Sequence, residues 1–247
     1  AKKAERLGVD IRMNTKVTPE MIEEIKPHTV MNAIGAESII PPIPGVDKAF
    51  VKDSHDVLDG KAEATGNVVV IGGGMVGMET AEYLAEKGAK VSVLEMLPDI
   101  CSDMGTTRKI CMGEEIQKSG IIPVTSIKVT EIGDNVVIGE KDGEKVEFPC
   151  DTAVLAIGAK KRDGSALAET CYKNGIGYFE IGDAAMARRA INATREAMDA
   201  ALTFDREDVH RDVSKPKKLV FITGASGMMG GQTLKQIQST CAAQTIR

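Results

Sequence analysis

The chain has no tryptophan, and its three tyrosines and five phenylalanines make aromatics only 3% of 247 residues. Stacking platforms for bases or sugars are not expected from so few rings. It lacks a strong charge of either sign, and a net charge of -5 gives no basic footprint for nucleic acid. No apolar run approaches the ~20 residues that a membrane helix requires. The opening stretch, "AKKAERLGVD", has no apolar signal core. No C-x-x-C pair is present. The five cysteines (Cys101, Cys111, Cys150, Cys171, Cys241) are scattered, and with three histidines they complete no metal-ligand spacing. Scattered thiols in a chain of this size point to a reducing compartment, so a cytoplasmic location is expected. Each thiol reads as a small buried hydrophobe. No nucleophile stands beside a base: His28, His55 and His210 read as surface or strand-end residues, and no catalytic residue is assigned. What remains, 43% hydrophobic and 27% charged, is the composition of a soluble globular protein with an ordinary core.

Glycine and regular patterning are what the sequence does have. "VDIRMN" (Val9 to Asn14) reads as a short strand. "TPEMIEEIK" reads as a helix with Thr18 at the N-cap and Pro19 at the first helical position. "HTVMNAIGA" is a buried strand ending in a glycine turn, and "IIPPIPGVD" is a crossover stiffened by proline. From Asn67 the pattern alternates. "NVVVIG" is a continuously apolar strand suited to a covered parallel sheet. "MVGMETAEYLAEKG" is a helix closed by Gly88, "AKVSVLE" a strand, and "DMGTTRKICMGEEIQKSG" a helix closed by Gly120. A β-meander with turns at "GDN" and "KDG" precedes the last strand, which ends at Gly158. "RDGSALAETCYKNG" is helix or loop. "GYFEIGDAA" is a short strand ending on Asp183, and "RRAINATREAMDAALTF" a long helix. "DREDVHRDVSKPKK" is a linker by composition. The fold class is α/β, with a Rossmann-like doubly wound sheet.

Gly72, Gly74 and Gly77 form G-x-G-x-x-G after a strand and at the start of a helix, with Gly73, Met75 and Val76 between them. Gly72 allows the tight turn, Gly74 the approach of a pyrophosphate, and Gly77 close helix–strand packing. The helix N-terminus presents N–H groups and a positive dipole end to phosphates. Glu95 closes the next strand, where an acidic residue binds the adenosine ribose hydroxyls. A carboxylate there accepts from a free 2′-hydroxyl and repels a 2′-phosphate. That favours NAD(H) over NADP(H), with Lys90 and Arg108 as the nearby cations that would oppose the preference.

Four motifs in order carry a resemblance over about residues 1 to 205: "NAIGAESIIPPIPG", "VVVIGGGMVGMETAEYLAEKGAKVSVLE", "AVLAIGAKKR" and "FEIGDAAMARRAINATREAMDAA". Together they resemble the two-dinucleotide flavoproteins of the pyridine nucleotide-disulfide oxidoreductase type. More closely, they resemble the C-terminal FAD/NAD(H)-binding half of the NADH:flavin oxidoreductase, 2,4-dienoyl-CoA reductase and enoate reductase group. The resemblance implies an FAD domain interrupted by an NAD domain, and hydride transfer from NADH to flavin for an enoate- or enoyl-type acceptor. It implies that Gly35 and Gly158, in the two "AIGA" segments, are crossover turns between the domains. Glu79 matches the glutamate near the nicotinamide. Gly182 and Asp183 match the turn that meets the FAD ribityl-pyrophosphate region, and Asp183 also suits an N-cap. The family's own FAD fingerprint, its FMN barrel and its iron–sulfur cysteines find no match in these residues. FMN and an iron–sulfur cluster are therefore expected only in a longer parent protein, whose N-terminal barrel would be this segment's partner. A homo-oligomer is also compatible with the family.

A second glycine motif, "TGASGMMG" (Thr223 to Gly230), follows "KKLVFI". It resembles the fingerprint of the short-chain dehydrogenase/reductase and epimerase family, but no Y-x-x-x-K pair follows it. The expected organisation is a first FAD-domain segment (1–64), an NAD(H) domain (65–160), a second FAD-domain segment (161–205), a linker (206–216) and the truncated start of another Rossmann-type domain (217–247). A fragment passing hydride from NADH to FAD is the first functional expectation. A non-catalytic dinucleotide-binding module and part of a short-chain dehydrogenase fusion are the alternatives.

Overall fold

The structure is a computed structural model that describes residues 2–102, 104–204 and 220–223. In chain order the elements are α1 (Lys2–Arg6), α2 (Pro19–Ile25), β1 (Thr29–Asn32), β2 (Ala36–Ser38), β3 (Val51–Asp53), α3 (Ser54–Leu58), β4 (Asn67–Ile71), α4 (Met75–Glu86), β5 (Lys90–Leu94), α5 (Thr106–Ser119) and β6 (Ile122–Val124). They continue with β7 (Lys128–Ile132), β8 (Val136–Lys141), β9 (Glu144–Pro149), β10 (Thr152–Leu155), β11 (Ala159–Lys161), α6 (Ser165–Lys173), β12 (Gly177–Glu180), a 3₁₀ turn (Gly182–Ala184), α7 (Ala190–Thr203) and β13 (Val220–Thr223). Contacts divide the chain into two units: unit 1, drawn from Ala1–Glu37 and from Lys160 onward, and unit 2, Ser38–Ala159.

Unit 2 is built on a parallel sheet of order β3-β10-β4-β5-β6. The run "VVVI" fills β4 because both faces of this strand are covered, so no position needs a polar side chain. Val68 and Val70 point into a cluster with Val57 of α3, Met78, Ala81 and Leu84 of α4, and Val91 and Val93 of β5. Val69 and Ile71 point the other way, onto Ile127, Ile132, Val137 and Leu155. That second cover is supplied by the antiparallel meander β7-β8-β9 and by Ile43, Val46 and Phe50 of the proline crossover, where a doubly wound sheet would carry helices. The meander turns where asparagine, aspartate and glycine allow positive φ: Asn135 at 53°, Asp142 at 53° and Gly143 at 83°. Helix α5 ends on Gly120, left-handed at φ 71°, whose N–H donates to the Ile116 carbonyl.

The division into units falls at Ser38, whereas the sequence places a boundary at 64/65. Residues 38–64 lie in unit 2 because β3 pairs in parallel with β10, Val51 opposite Ala153 and Asp53 opposite Leu155. Such a pairing, about a hundred residues apart, leaves no local signal.

Unit 1 carries a three-stranded parallel sheet of order β12-β1-β13. All four residues of β1 are buried. On one face Met31 and Ile181 meet Ala197, Ala200 and Ala201 of α7, whose small side chains let the helix lie close. On the other, Val30 meets Ile22 of α2 and Leu167 and Cys171 of α6. Pro19 opens α2 as expected, and Thr18 holds the N-cap position without a side-chain cap bond. The strand predicted over Val9 to Asn14 does not form. Ile11 and Met13 are exposed there, and among the described residues no neighbouring strand covers them, so a correct alternation lacks a partner to pack against. Among the described residues no helix is long and apolar enough to cross a membrane, and no group of metal-ligating side chains gathers.

Candidate functional site

The candidate dinucleotide site lies in unit 2, where β4 runs into α4. Gly72 ends the strand at φ 109°, a conformation L side chains avoid, and a Cβ there would stand 2.5 Å from the Ala156 carbonyl oxygen. This glycine is required both by conformation and by the closeness of the turn after β10. Gly77 faces back onto the Gly72 carbonyl, where any Cβ would collide with backbone. It fixes how closely α4 approaches β4. Gly74 differs from both. Its φ is -72°, it is exposed, and an added Cβ would meet nothing within 4 Å. No packing demand accounts for a glycine there. Gly74 is also the N-cap of α4, so the orphan N–H groups of the first turn, around Met75 and Val76, have no side-chain cap competing for them.

Glu95 closes this turn from the side. It follows β5, the neighbour of β4, with Gly72 N–H donating to the Leu94 carbonyl (2.8 Å). Its backbone is fixed by Glu95 N–H to Val124 O (2.9 Å) and Ile127 N–H to Glu95 O (3.0 Å). Its carboxylate accepts from Gly73 N–H at 2.6 Å and from Leu97 N–H at 2.7 Å. Gly73 cannot carry a side chain, because a Cβ would lie 2.9 Å from Glu95 Cβ and 3.0 Å from Ile100 Cγ2. The Gly73 carbonyl accepts from Cys101 N–H at 2.8 Å, which ties the loop after Glu95 to the glycine turn. The sequence pairs Glu95 with the glycine motif. The structure adds that the carboxylate also holds the turn in shape.

The remaining predicted residues sort by unit. Gly158, at φ 103°, follows β10 and accepts from Ile39 N–H at 3.0 Å, within unit 2. Glu79 is exposed on the second turn of α4. Lys90 begins β5 and so stands at the opposite end of that strand from Glu95; Arg108 is exposed in the first turns of α5. In unit 1, Gly35 (φ 80°) follows β1 and Gly182 (φ 63°) follows β12, so both turns open at the carboxyl end of one sheet. Asp183 lies in the 3₁₀ turn and accepts from Arg188 N–H at 3.3 Å. It does not cap α7, whose N-cap is Arg189. Two residues that the sequence did not single out brace this turn. Glu196 of α7 accepts from Gly182 N–H at 2.8 Å and pairs with Arg188. A glutamate two turns into a helix has no pattern that marks it as a brace. His210, Cys241 and the glycines of "TGASGMMG" lie outside the described residues.

Of the four described cysteines, Cys101, Cys150 and Cys171 are buried as expected and Cys111 is exposed. Burial pushes the Cys150 thiol up to about 11 and raises that of Cys171. Neither has the depressed pKa of a redox nucleophile.

Comparison with known proteins bears on the same elements. Residues 7–184 match the family model described as pyridine nucleotide-disulphide oxidoreductase. The chain is 43% identical over 154 residues to a bilirubin reductase of Mediterraneibacter gnavus (strain CC55_001C), covering 62% of this chain and 24% of that protein. It is 39% identical over 201 residues to an NADH oxidase of Thermoanaerobacter brockii, covering 79% and 31%. Among solved structures, a 2-naphthoyl-CoA reductase in complex with 2-naphthoyl-CoA superposes with a TM-score of 0.70 at 30% identity, covering 78% of this chain and 29% of that one. The chain thus spans less than a third of the length of these relatives.

Proposed function

Because this chain belongs to the pyridine nucleotide-disulphide oxidoreductase family, whose FAD- and NAD(H)-dependent oxidoreductases are its relatives, we propose that it is the electron-input segment of a flavin-dependent reductase. Unit 2 binds NADH, unit 1 contributes to an FAD site, and the final acceptor is an unsaturated acyl compound of the enoate or enoyl type, reduced on a part of the protein outside this chain. The observation that carries the reading is the Gly72–Glu95 arrangement: an open Gly74 at a helix N-terminus, with a carboxylate anchored by two backbone N–H groups at the end of the adjacent strand.

In this reading Gly74, Met75 and Val76 present backbone N–H groups to the pyrophosphate while the Gly73 N–H stays on Glu95, and the α4 dipole adds a favourable field. Glu95 accepts from the adenosine ribose hydroxyls through lone pairs that its two backbone bonds leave available. Its charge disfavours a 2′-phosphate, so the nucleotide is NAD(H). Glu79, on the exposed side of α4, lies toward the nicotinamide. In unit 1 the Gly35 and Gly182 turns and the Asp183 carboxylate meet the flavin dinucleotide, and Gly158 completes the second crossover turn. When bound, FAD supplies the redox chemistry by accepting a hydride, and the protein's part is to align and shield.

The test has two stages. The purified chain, incubated with FAD and desalted, is examined by absorbance, and NADH is then titrated anaerobically into the wild type, Glu95→Ala and Gly74→Val. The reading expects NADH binding by the wild type, weakened in both variants, with bleaching of any retained flavin. NADH affinity unchanged in both variants sinks the assignment. Binding of NADH to a chain that retains no flavin would favour the non-catalytic module.

A further inference from the structure

The last described strand is far from the site in sequence, yet it is part of the framework of unit 1. β13 pairs in parallel with β1, Thr29 opposite Val220 and Asn32 opposite Thr223. On its other side β1 pairs with β12. Without β13, the sheet would keep two of its described strands, which is marginal for independent stability, and β1 would be an edge among the described residues. Yet β1 is built as a central strand: Thr29 is 5% exposed, and Val30, Met31 and Asn32 are 0% exposed.

The hydrogen bonds show which peptide groups need a partner on that side. Gly177 N–H donates to the His28 carbonyl and Ile181 N–H to the Asn32 carbonyl, each at 3.0 Å. In a parallel ladder alternate residues face opposite edges. The peptide groups of His28, Val30 and Asn32 therefore face β12, and those of Thr29 and Met31 face β13. From the register, the groups that meet them belong to Phe221 and Thr223, whereas the Ile222 N–H faces the outer edge. Buried backbone donors are almost always paired, and among the described residues the strand on that side of Met31 is β13.

We propose that the C-terminal segment Val220–Thr223 is an integral strand of unit 1, docked onto β1 of the same chain, and is not the opening strand of a separately folding unit. The strand ends with Thr223 abreast of Asn32 and Glu180. Thr223 therefore stands at the carboxyl end of the unit 1 sheet.

The experiment is residue-resolved amide hydrogen exchange on the full chain, with Phe221→Pro and Ile222→Pro. Proline at 221 removes the N–H that meets the Thr29 carbonyl. Proline at 222 removes only an outward N–H, which an edge strand tolerates. The Met31 amide is expected to exchange slowly in the wild type, at least about tenfold faster in Phe221→Pro, and as in the wild type in Ile222→Pro. Val68, Val69 and Val70 of β4 report on unit 2 and stay protected throughout. Loss of protection across all of Thr29–Asn32 in Phe221→Pro alone also supports the proposal, since it shows unit 1 depending on the strand. Fast exchange of Met31 in the wild type, no effect of Phe221→Pro, or equal effects of the two prolines overturns it. Met31 protection that disappears on dilution, together with a dimer by mass, assigns the strand to a second copy and overturns the intrachain form.

Discussion

Gly72 and Gly74 stand two residues apart in one turn, yet their substitution should have opposite consequences. An alanine at 72 must adopt φ near 109° and places its Cβ 2.5 Å from the Ala156 carbonyl oxygen. The disfavoured backbone costs about 1–3 kcal/mol, and relieving the contact raises the total to roughly 2–5 kcal/mol. At about 3–6 °C per kcal/mol for a unit of this size, the unit 2 transition should fall by roughly 6–30 °C. A valine at 74 has an ordinary φ of -72° and open space around its Cβ. Its fold cost is that of a poorer N-cap, about 0.5–1 kcal/mol. The added methyl groups instead occupy the path by which a pyrophosphate reaches the α4 N–H groups, so NADH affinity should fall at least about a hundredfold, or ~3 kcal/mol. Thermal melts of both variants, with NADH titration of Gly74→Val, check the pair. Gly74→Val binding NADH like the wild type, or Gly72→Ala melting like it, would show that the two glycines do not divide these roles.

Glu95→Gln should shift preference from NADH toward NADPH by about tenfold. Removing one charge near the 2′-position relieves ~1–2 kcal/mol of repulsion at a partly solvated site, and paired titrations with the two nucleotides give the ratio. A thiol reagent at pH 8 should label Cys111 first among the four described cysteines, because the other three are buried and the Cys150 thiol is pushed up to about 11; peptide mapping reads the order. Burial holds the Tyr178 hydroxyl up to about 12, with Glu180 adding to the shift. The folded state therefore keeps that proton where the unfolded chain releases it. This contribution to stability is intact below about pH 10 and is lost as pH rises toward about 12. Melts across that window should show the slope in the wild type and lose it in Tyr178→Phe.

The parts of the fold that were legible in the sequence are those set by local demands. Gly72 and Gly77 are dictated by backbone within the βα turn itself, and the apolar run of β4 by cover on both faces. Gly120 closes α5 because a left-handed residue is needed there. The rest depends on partners that no window of sequence contains. The alternation over Val9–Asn14 is a strand pattern without a neighbour to pair with among the described residues. Residues 38–64 join unit 2 through a strand drawn from beyond Gly143, and the second cover of the β4 sheet is a meander because the chain between β6 and β10 folds back onto it. Glu196 reaches Gly182 across fourteen residues, and Val220–Thr223 reaches β1 across almost the whole chain. At the site, the glycines and Glu95 were legible as a pair. That the carboxylate holds the Gly73 and Leu97 N–H groups was not, because it depends on how closely the loop after β5 returns to the turn.

Whether unit 2 holds NAD(H) at the β4–α4 turn is read by mapping amide chemical-shift changes in the full chain as NADH is added. The account predicts the largest changes at Gly73, Gly74, Met75 and Val76, with Leu97 moving as the Glu95 carboxylate turns part of its hydrogen bonding to the ribose. Saturable NADH binding that leaves these five amides unmoved would contradict it.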